Sequence, residues 1–188
     1  AFGNGGATWK ETQQDGLAIF YKSDGKVHRF QNPAGSRWTP AYDAGGRMKY
    51  ILDPFSRRTT AVYDGSNKIR RIVDSGSRIT TFSVDGSSNL VKVTSPELEV
   101  TSLIYATGHK LQVWVDPLGN RTSYAYDGSN RMKRVTSPKG EYTTFVYQTN
   151  QTVITDPRGQ VTTLLLTADG NSNLRALLDP VTLPEIIA

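Results

Sequence analysis

Apolar positions along this chain follow two superposed periods, a short one of two residues and a long one of 21. Tyr21, Tyr42, Tyr63, Val84, Tyr105, Tyr126, Tyr147 and Ala168 form one column, each 21 residues after the last. Six residues after this anchor every unit is apolar: Val27, Met48, Ile69, Leu90, Leu111, Met132, Val153 and Leu174. Nine after it stand Phe30, Ile51, Ile72, Val93, Trp114, Val135 and Leu177. Seventeen after it stand Thr59, Thr80, Thr101, Thr122 and Thr143, followed two residues later by Phe82, Leu103, Tyr124 and Phe145. Alternation such as Thr122-Tyr124-Tyr126 predicts a strand with one favoured face. The strand before it is less regular, because columns six and nine have opposite parity. A β-bulge or a strong twist would reconcile them, and the residues do not choose between the two.

Two kinds of turn signal separate the strands. One is Asp64-Gly65-Ser66-Asn67, Asp85-Gly86-Ser87-Ser88, Asp127-Gly128-Ser129-Asn130 and Asp169-Gly170-Asn171-Ser172, read as hairpin turns in which Asp and Asn tolerate left-handed φ and bond their own backbone, and Gly supplies positive φ freely. The other is Asp53-Pro54, Asp116-Pro117-Leu118-Gly119, Asp156-Pro157-Arg158-Gly159 and Asp179-Pro180, where Pro presets φ and removes a donor. Each unit therefore reads strand, Asx-Gly turn, strand, Asp-Pro-x-Gly turn. The seventh unit breaks step: Val153-Ile154-Thr155-Asp156 reaches Asp-Pro two residues early. The expectation is an all-β chain with an irregular N-terminal cap or cut repeat over 1–20, about eight repeats over 21–180 and a tail over 181–188.

These columns resemble the YD-repeat, or RHS-repeat, family: Tyr42-Asp43…Gly46-Arg47-Met48…Asp53-Pro54, and Tyr126-Asp127…Arg131-Met132…Pro138-Lys139-Gly140, with Tyr63-Asp64, Tyr105 and Tyr147 in the same column. The resemblance covers roughly residues 21 to 180. It implies a curved antiparallel ribbon that spirals into a hollow shell or a β-solenoid-like assembly. Relatives include toxin-delivery shells, insecticidal toxin-complex cocoons and the teneurin adhesion proteins. It also implies a bacterial, secreted protein at the cell surface or outside the cell, with toxin cargo or a surface glycan as partner. No toxin domain is recognisable, and Asp179-Pro180-Val181-Thr182-Leu183 fits an ordinary turn better than the family's shell-closing sequence.

Composition narrows the function classes. Gly, Ser, Thr, Asp, Asn and Pro dominate, as an all-β chain requires. The chain has no cysteine, so thiolate metal sites and disulfides are excluded. No stretch reaches the ~18 apolar residues of a spanning helix, and AFGNGGATWK lacks the basic and apolar regions of a signal peptide. A start at Ala1 in mid-pattern leads us to expect a piece of something longer. About sixteen strands at ~4.8 Å would span roughly 75 Å, so the sheet must curl, coil or close. Bare edge strands would join further chain, caps or other copies.

The net charge is +5, and cations fall in columns: Lys26, Arg47, Lys68, Lys110 and Arg131 five after the anchor, His28, Lys49, Arg70, Lys133 and Arg175 seven after. We read them as a solvated face lying along Tyr rings or pairing with turn carboxylates, not as a nucleic-acid stripe. His28 and His109 stand in different columns with no partner at metal or triad spacing, and the Asp residues are explained as turn formers. No cofactor, metal or catalytic residue is expected. Trp38 and Trp114 could stack on sugars, but aromatic columns in a β-array are more often packing. Asn120-Arg121-Thr122 and Asn150-Gln151-Thr152 match the glycosylation pattern, which arises by chance in Thr-rich chains. A propeller of 42-residue blades is a poorer fit, since alternate units do not differ in kind. The reading is a structural, non-enzymatic wall segment; the alternative is an adhesion module binding glycan or a protein receptor.

Overall fold

A computed structural model describes residues 8–166 together with the backbone of Leu174–Leu178 and Glu185–Ile186. The turns expected at Asp169-Gly170-Asn171-Ser172 and Asp179-Pro180, the Ala168 anchor, the Leu174, Arg175 and Leu177 side chains and most of the tail lie outside the described residues. The chain is all-β and antiparallel, and no helix occurs among the described residues. It divides into two compact units, one within Ala1–Ser83 and Val93–Glu99, the other within Val84–Lys92 and Val100–Ala188.

The first unit is a run of hairpins: β1 Trp9–Thr12, β2 Ala18–Tyr21, β3 Val27–Gln31, β4 Arg37–Tyr42, β5 Met48–Leu52, β6 Arg58–Tyr63, β7 Ile69–Val73 and β8 Ile79–Val84. Each pairs with the next. β9, Leu90–Thr94, falls at the division between the units. The second unit repeats the plan: β10 Val100–Ala106, β11 Lys110–Val115, β12 Arg121–Tyr126, β13 Met132–Thr136, β14 Tyr142–Gln148, β15 Gln151–Thr155 and β16 Val161–Leu166. Residues 9–21, whose sequence fits the repeat poorly, form a hairpin closed by Gln13 and Leu17 like the others.

The parity conflict is resolved by a bulge. Tyr42 faces Met48 while Ala41 faces Tyr50, so Lys49 is an extra residue and Met48 and Ile51 share a face. The same shift leaves His28, Arg70, Gln112 and Lys133 extra. The basic column seven residues after the anchor is thus the column of bulge residues. The seventh unit has no bulge: Tyr147 faces Thr152 and Gln148 faces Gln151 in unbroken register. Its loop closes one residue sooner and the bulge residue is missing, which together account for Asp156 arriving two residues early.

The two turn signals encode one conformation, which corrects the sequence reading of two distinct turns. Around Asp43, the Gly46 N–H donates to the Asp43 carbonyl at 3.0 Å and the Asp43 N–H to the Arg47 carbonyl at 2.9 Å. Around Asp53, the Ser56 N–H donates to the Asp53 carbonyl and the Asp53 N–H to the Arg57 carbonyl, both at 3.0 Å. This is a three-residue hairpin loop, a type I turn followed by one left-handed residue. The left-handed residue is the third after Asp: Asn67 at φ 65, Ser88 at 72, Asn130 at 65 and Gly119 at 85. The Gly of Asp-Gly is not the hinge: Gly65, Gly86 and Gly128 lie outside the positive-φ region.

Both faces of each unit stay open. Phe20 and Val113 are among the few apolar side chains that are buried, while Met48 is 46% and Val146 50% exposed.

Candidate functional site

The repeated motif is a set of interlocks, not a pocket. The β5–β6 ladder runs from Leu52↔Arg58 to Tyr50↔Thr60 and stops. Beyond that point the Met48 carbonyl, next to the bulge, would lack a partner. The Tyr63 hydroxyl donates to it at 2.8 Å. Tyr42 does the same to the Val27 carbonyl at 3.1 Å, Tyr126 to Leu111 at 2.9 Å and Tyr147 to Met132 at 2.8 Å. The anchor is a tyrosine because its phenol reaches across a splayed strand pair to an acceptor the bulge leaves bare. Tyr105 occupies the same column and faces Leu111 across its own bulge.

The aspartates hold the turns. Asp64 Oδ1 accepts from Ser66 N–H at 2.8 Å and Lys68 N–H at 3.0 Å. Asp127 Oδ1 accepts from Ser129 and Arg131 N–H, both at 2.9 Å, and Asp156 Oδ1 from Arg158 and Gln160 N–H, both at 2.8 Å. Asp116 adds an Asn120 side-chain amide at 2.8 Å, and Asp43 and Asp53 add the guanidiniums of Arg47 at 2.7 Å and Arg57 at 2.6 Å. Pro54, Pro117 and Pro157 follow the capping Asp, and Gly119 and Gly159 are the left-handed residues of their turns. These bonds set the charges. Arg47, by side chain and then N–H, holds the Asp43 carboxyl below its ordinary range; the Lys68 N–H does so for Asp64. At Asp53 partial desolvation pushes upward, but the Arg57 and Phe55 bonds outweigh it.

The cations five after the anchor link successive hairpins. The Arg47 guanidinium lies 4.8 Å from the Tyr63 ring centre and that of Arg131 4.3 Å from the Tyr147 ring, and Lys26 stands over Tyr42. Arg47 also donates to the Asn67 side chain and Lys110 to that of Asn130. His109, read from the sequence as having no carboxylate or Cys partner at metal or triad spacing, has Nδ1 at 2.6 Å from Asn89 Oδ1, whose amide nitrogen donates to Asp85 at 2.9 Å. This chain is one more turn-to-turn link at the spacing of Arg47 and Asn67.

Trp38 and Trp114 lie in different units. Trp38 is half-buried and faces Phe30; Trp114, 36% exposed, is flanked across the strands by Leu103 and Thr122. No helix among the described residues is long and apolar enough to cross a membrane.

The register also sorts the charges by face, which the column count missed. In the first unit one face runs through Glu11, Ile19, Phe30, Trp38, Pro40, Ile51, Thr59, Ala61, Ile72 and Thr80, with the anchor tyrosines beside them. The other carries Lys10, Arg29, Arg37, Arg58 and Arg71 and no carboxylate. In the second unit, over β10 to β16 and the bulge residue Lys133 apart, the tyrosine face bears no charge, and Lys110, Arg121 and Arg134 share the opposite one.

The fold is similar to that of known proteins. The RHS Repeat family model matches residues 105–144. The crystal structure of TcdB2-TccC3-Cdc42 superposes with a TM-score of 0.59 at 13% identity, over 89% of this chain and 10% of that one. That of TcdB2-TccC3 without its hypervariable C-terminal region gives 0.57 at 13% identity, over 91% and 12%. This chain therefore spans about a tenth of the length of the solved chains it matches. No curated protein matches the sequence.

Proposed function

Since residues 105–144 carry an RHS repeat and the fold is that of the repeat-containing toxin-complex chains, we propose that this chain is a wall segment of a β-shell. In this reading it is non-enzymatic, belongs to an exported bacterial protein acting outside the cell or at its surface, and helps to enclose a toxin or other cargo. Its partners are the remainder of a longer parent chain, or other copies, met through strand edges. The observation that carries the proposal is the tyrosine-to-carbonyl bond repeated at Tyr42, Tyr63, Tyr126 and Tyr147. Each tyrosine locks its hairpin to the one before, so the repeated feature serves continuity of the sheet. Electron microscopy of the native particle is expected to show a thin-walled hollow body. A solid globule of the mass of one chain would overturn the reading.

A second reading, an adhesion module for glycan or a protein receptor, draws on the exposure of Trp114. It expects weaker cell binding after Trp38→Ala and Trp114→Ala and at least one hit on a glycan array. Unchanged cell binding with no hits would remove it.

A further inference from the structure

We infer that the arginine-bearing face of this sheet is a docking surface for an acidic polypeptide segment. The inference gives the enclosed partner a chemistry, and rests on the wall reading for why a polypeptide would meet this face. Three observations carry it.

The first is segregation of charge. In the first unit, Lys10, Arg37, Arg58 and Arg71 are exposed on one face, and no strand carboxylate shares it. Among the described residues no ion pair joins Arg37, Arg58 or Arg71 to a carboxylate. Three of the turn carboxylates, Asp43, Asp53 and Asp74, are held by Arg47, Arg57 and Arg78 within their own turns. A run of one sign at a partly apolar surface strengthens attraction for the opposite sign and suppresses other partners.

The second is recurrence. The second unit, taken by itself, repeats the pattern with Arg121 and Arg134 exposed and no carboxylate in β10 to β16. A cation also stacks on a tyrosine in both units: Arg58 lies 4.2 Å from the Tyr50 ring centre and Arg134 5.6 Å from that of Tyr142. Stacking holds the guanidinium plane and leaves its edge free to accept a carboxylate in bidentate fashion.

The third is what lies beside the charges. Arg37 lines an open groove of about 570 Å³ with Thr39, Leu52, Phe55 and Asp53, whose carboxylate is paired with Arg57. Arg134 lines one of about 470 Å³ with Lys133, Tyr142, Thr144 and Val146. Each groove sets one guanidinium beside hydroxyl and apolar side chains. A nucleic-acid backbone presents closely spaced phosphates and gains little from the aliphatic floor. A polypeptide alternating carboxylates with apolar side chains uses both features.

The test uses the full chain and labelled poly(Glu, Tyr), with poly-lysine and duplex DNA as competing probes, read by fluorescence anisotropy over a salt series. Binding of the acidic copolymer, weakened by salt, is expected. The triple variant Arg37→Gln/Arg58→Gln/Arg71→Gln should lose about tenfold in affinity and flatten the salt dependence. A control triple of equal charge change at two bulge positions and one exposed turn, Lys49→Gln/Arg70→Gln/Lys139→Gln, should lose less than about twofold. Circular dichroism confirms that both triples keep the β-sheet. No binding at low salt, equal loss in the two triples, or tighter binding of DNA than of the copolymer would overturn the proposal. Each of these can occur with a hollow native particle, so failure here is separable from failure of the wall reading.

Discussion

At the residue scale the turns separate two roles that the sequence merges into the word glycine. Gly65 lies outside the left-handed region, and a Cβ there meets nothing within 4 Å; Gly119 is equally open but sits at φ 85. Gly65→Ala should therefore stabilise by about 0.4–1 kcal/mol, through lost freedom of the unfolded chain. Gly119→Ala should destabilise by about 1–2 kcal/mol, because Cβ is strained in the left-handed region. Opposite shifts of the urea midpoint are the expected result, and shifts of the same sign would contradict the turn assignment. The capping aspartates make a second prediction. Asp43, Asp64, Asp85, Asp116 and Asp127 are all lowered by their turn bonds. A depressed folded pKa contributes stability above the unfolded value near ~3.9 and loses it as pH falls through the folded values. The melting temperature should be level from about pH 7 to 5 and fall steadily below about pH 4. Asp43→Asn/Asp127→Asn, which keeps one oxygen to accept the turn N–H groups and replaces the arginine-binding oxygen by an amide nitrogen, should make that fall shallower.

At the element scale the bulge reconciles two hydrophobic columns of opposite parity. Deleting Lys49 would leave Met48 on the face of Ile51, but would remove the bulge beside which the Met48 carbonyl accepts from the Tyr63 hydroxyl. That should cost about 2–3 kcal/mol, while Lys49→Ala should stay within about 0.5 kcal/mol. Chemical denaturation of the two variants checks this, and equal effects would mean that the side chain matters and the spacing does not. The element scale is also where the sequence was most and least legible. Strands such as Arg121–Tyr126 were readable because alternation over six residues has one structural meaning. The bulge was not chosen, because a parity change can arise from either twist or insertion. The hinge was left open between Gly and Asn because Asp-Gly marks a two-residue turn as readily as a three-residue one, and only the backbone shows that Asn67 carries the positive φ. The charged face was missed because cations were counted from the anchor at offsets five and seven. Arg71 and Arg134, at offset eight, show their common side only once the register is known.

At the scale of the whole molecule stability is additive along the chain, not gathered in a core. The described residues include few buried apolar side chains, Ala18, Phe20 and Val113, and each interlock joins a hairpin to its neighbour alone. Such an array behaves as a sum of repeat and nearest-neighbour terms, so damage stays local. A single globular core would transmit a lost bond to every amide through global unfolding. Tyr126→Phe distinguishes the two. It keeps the ring and removes the bond to the Leu111 carbonyl, worth about 1 kcal/mol. Hydrogen exchange should then quicken by about fivefold, the factor matching that energy, at amides of β11 to β14. Those of β5 to β7 should exchange at their former rate. Uniform acceleration across both sets would show a cooperative globule, and a wall built by repetition could not then be the right description of how this chain holds its form.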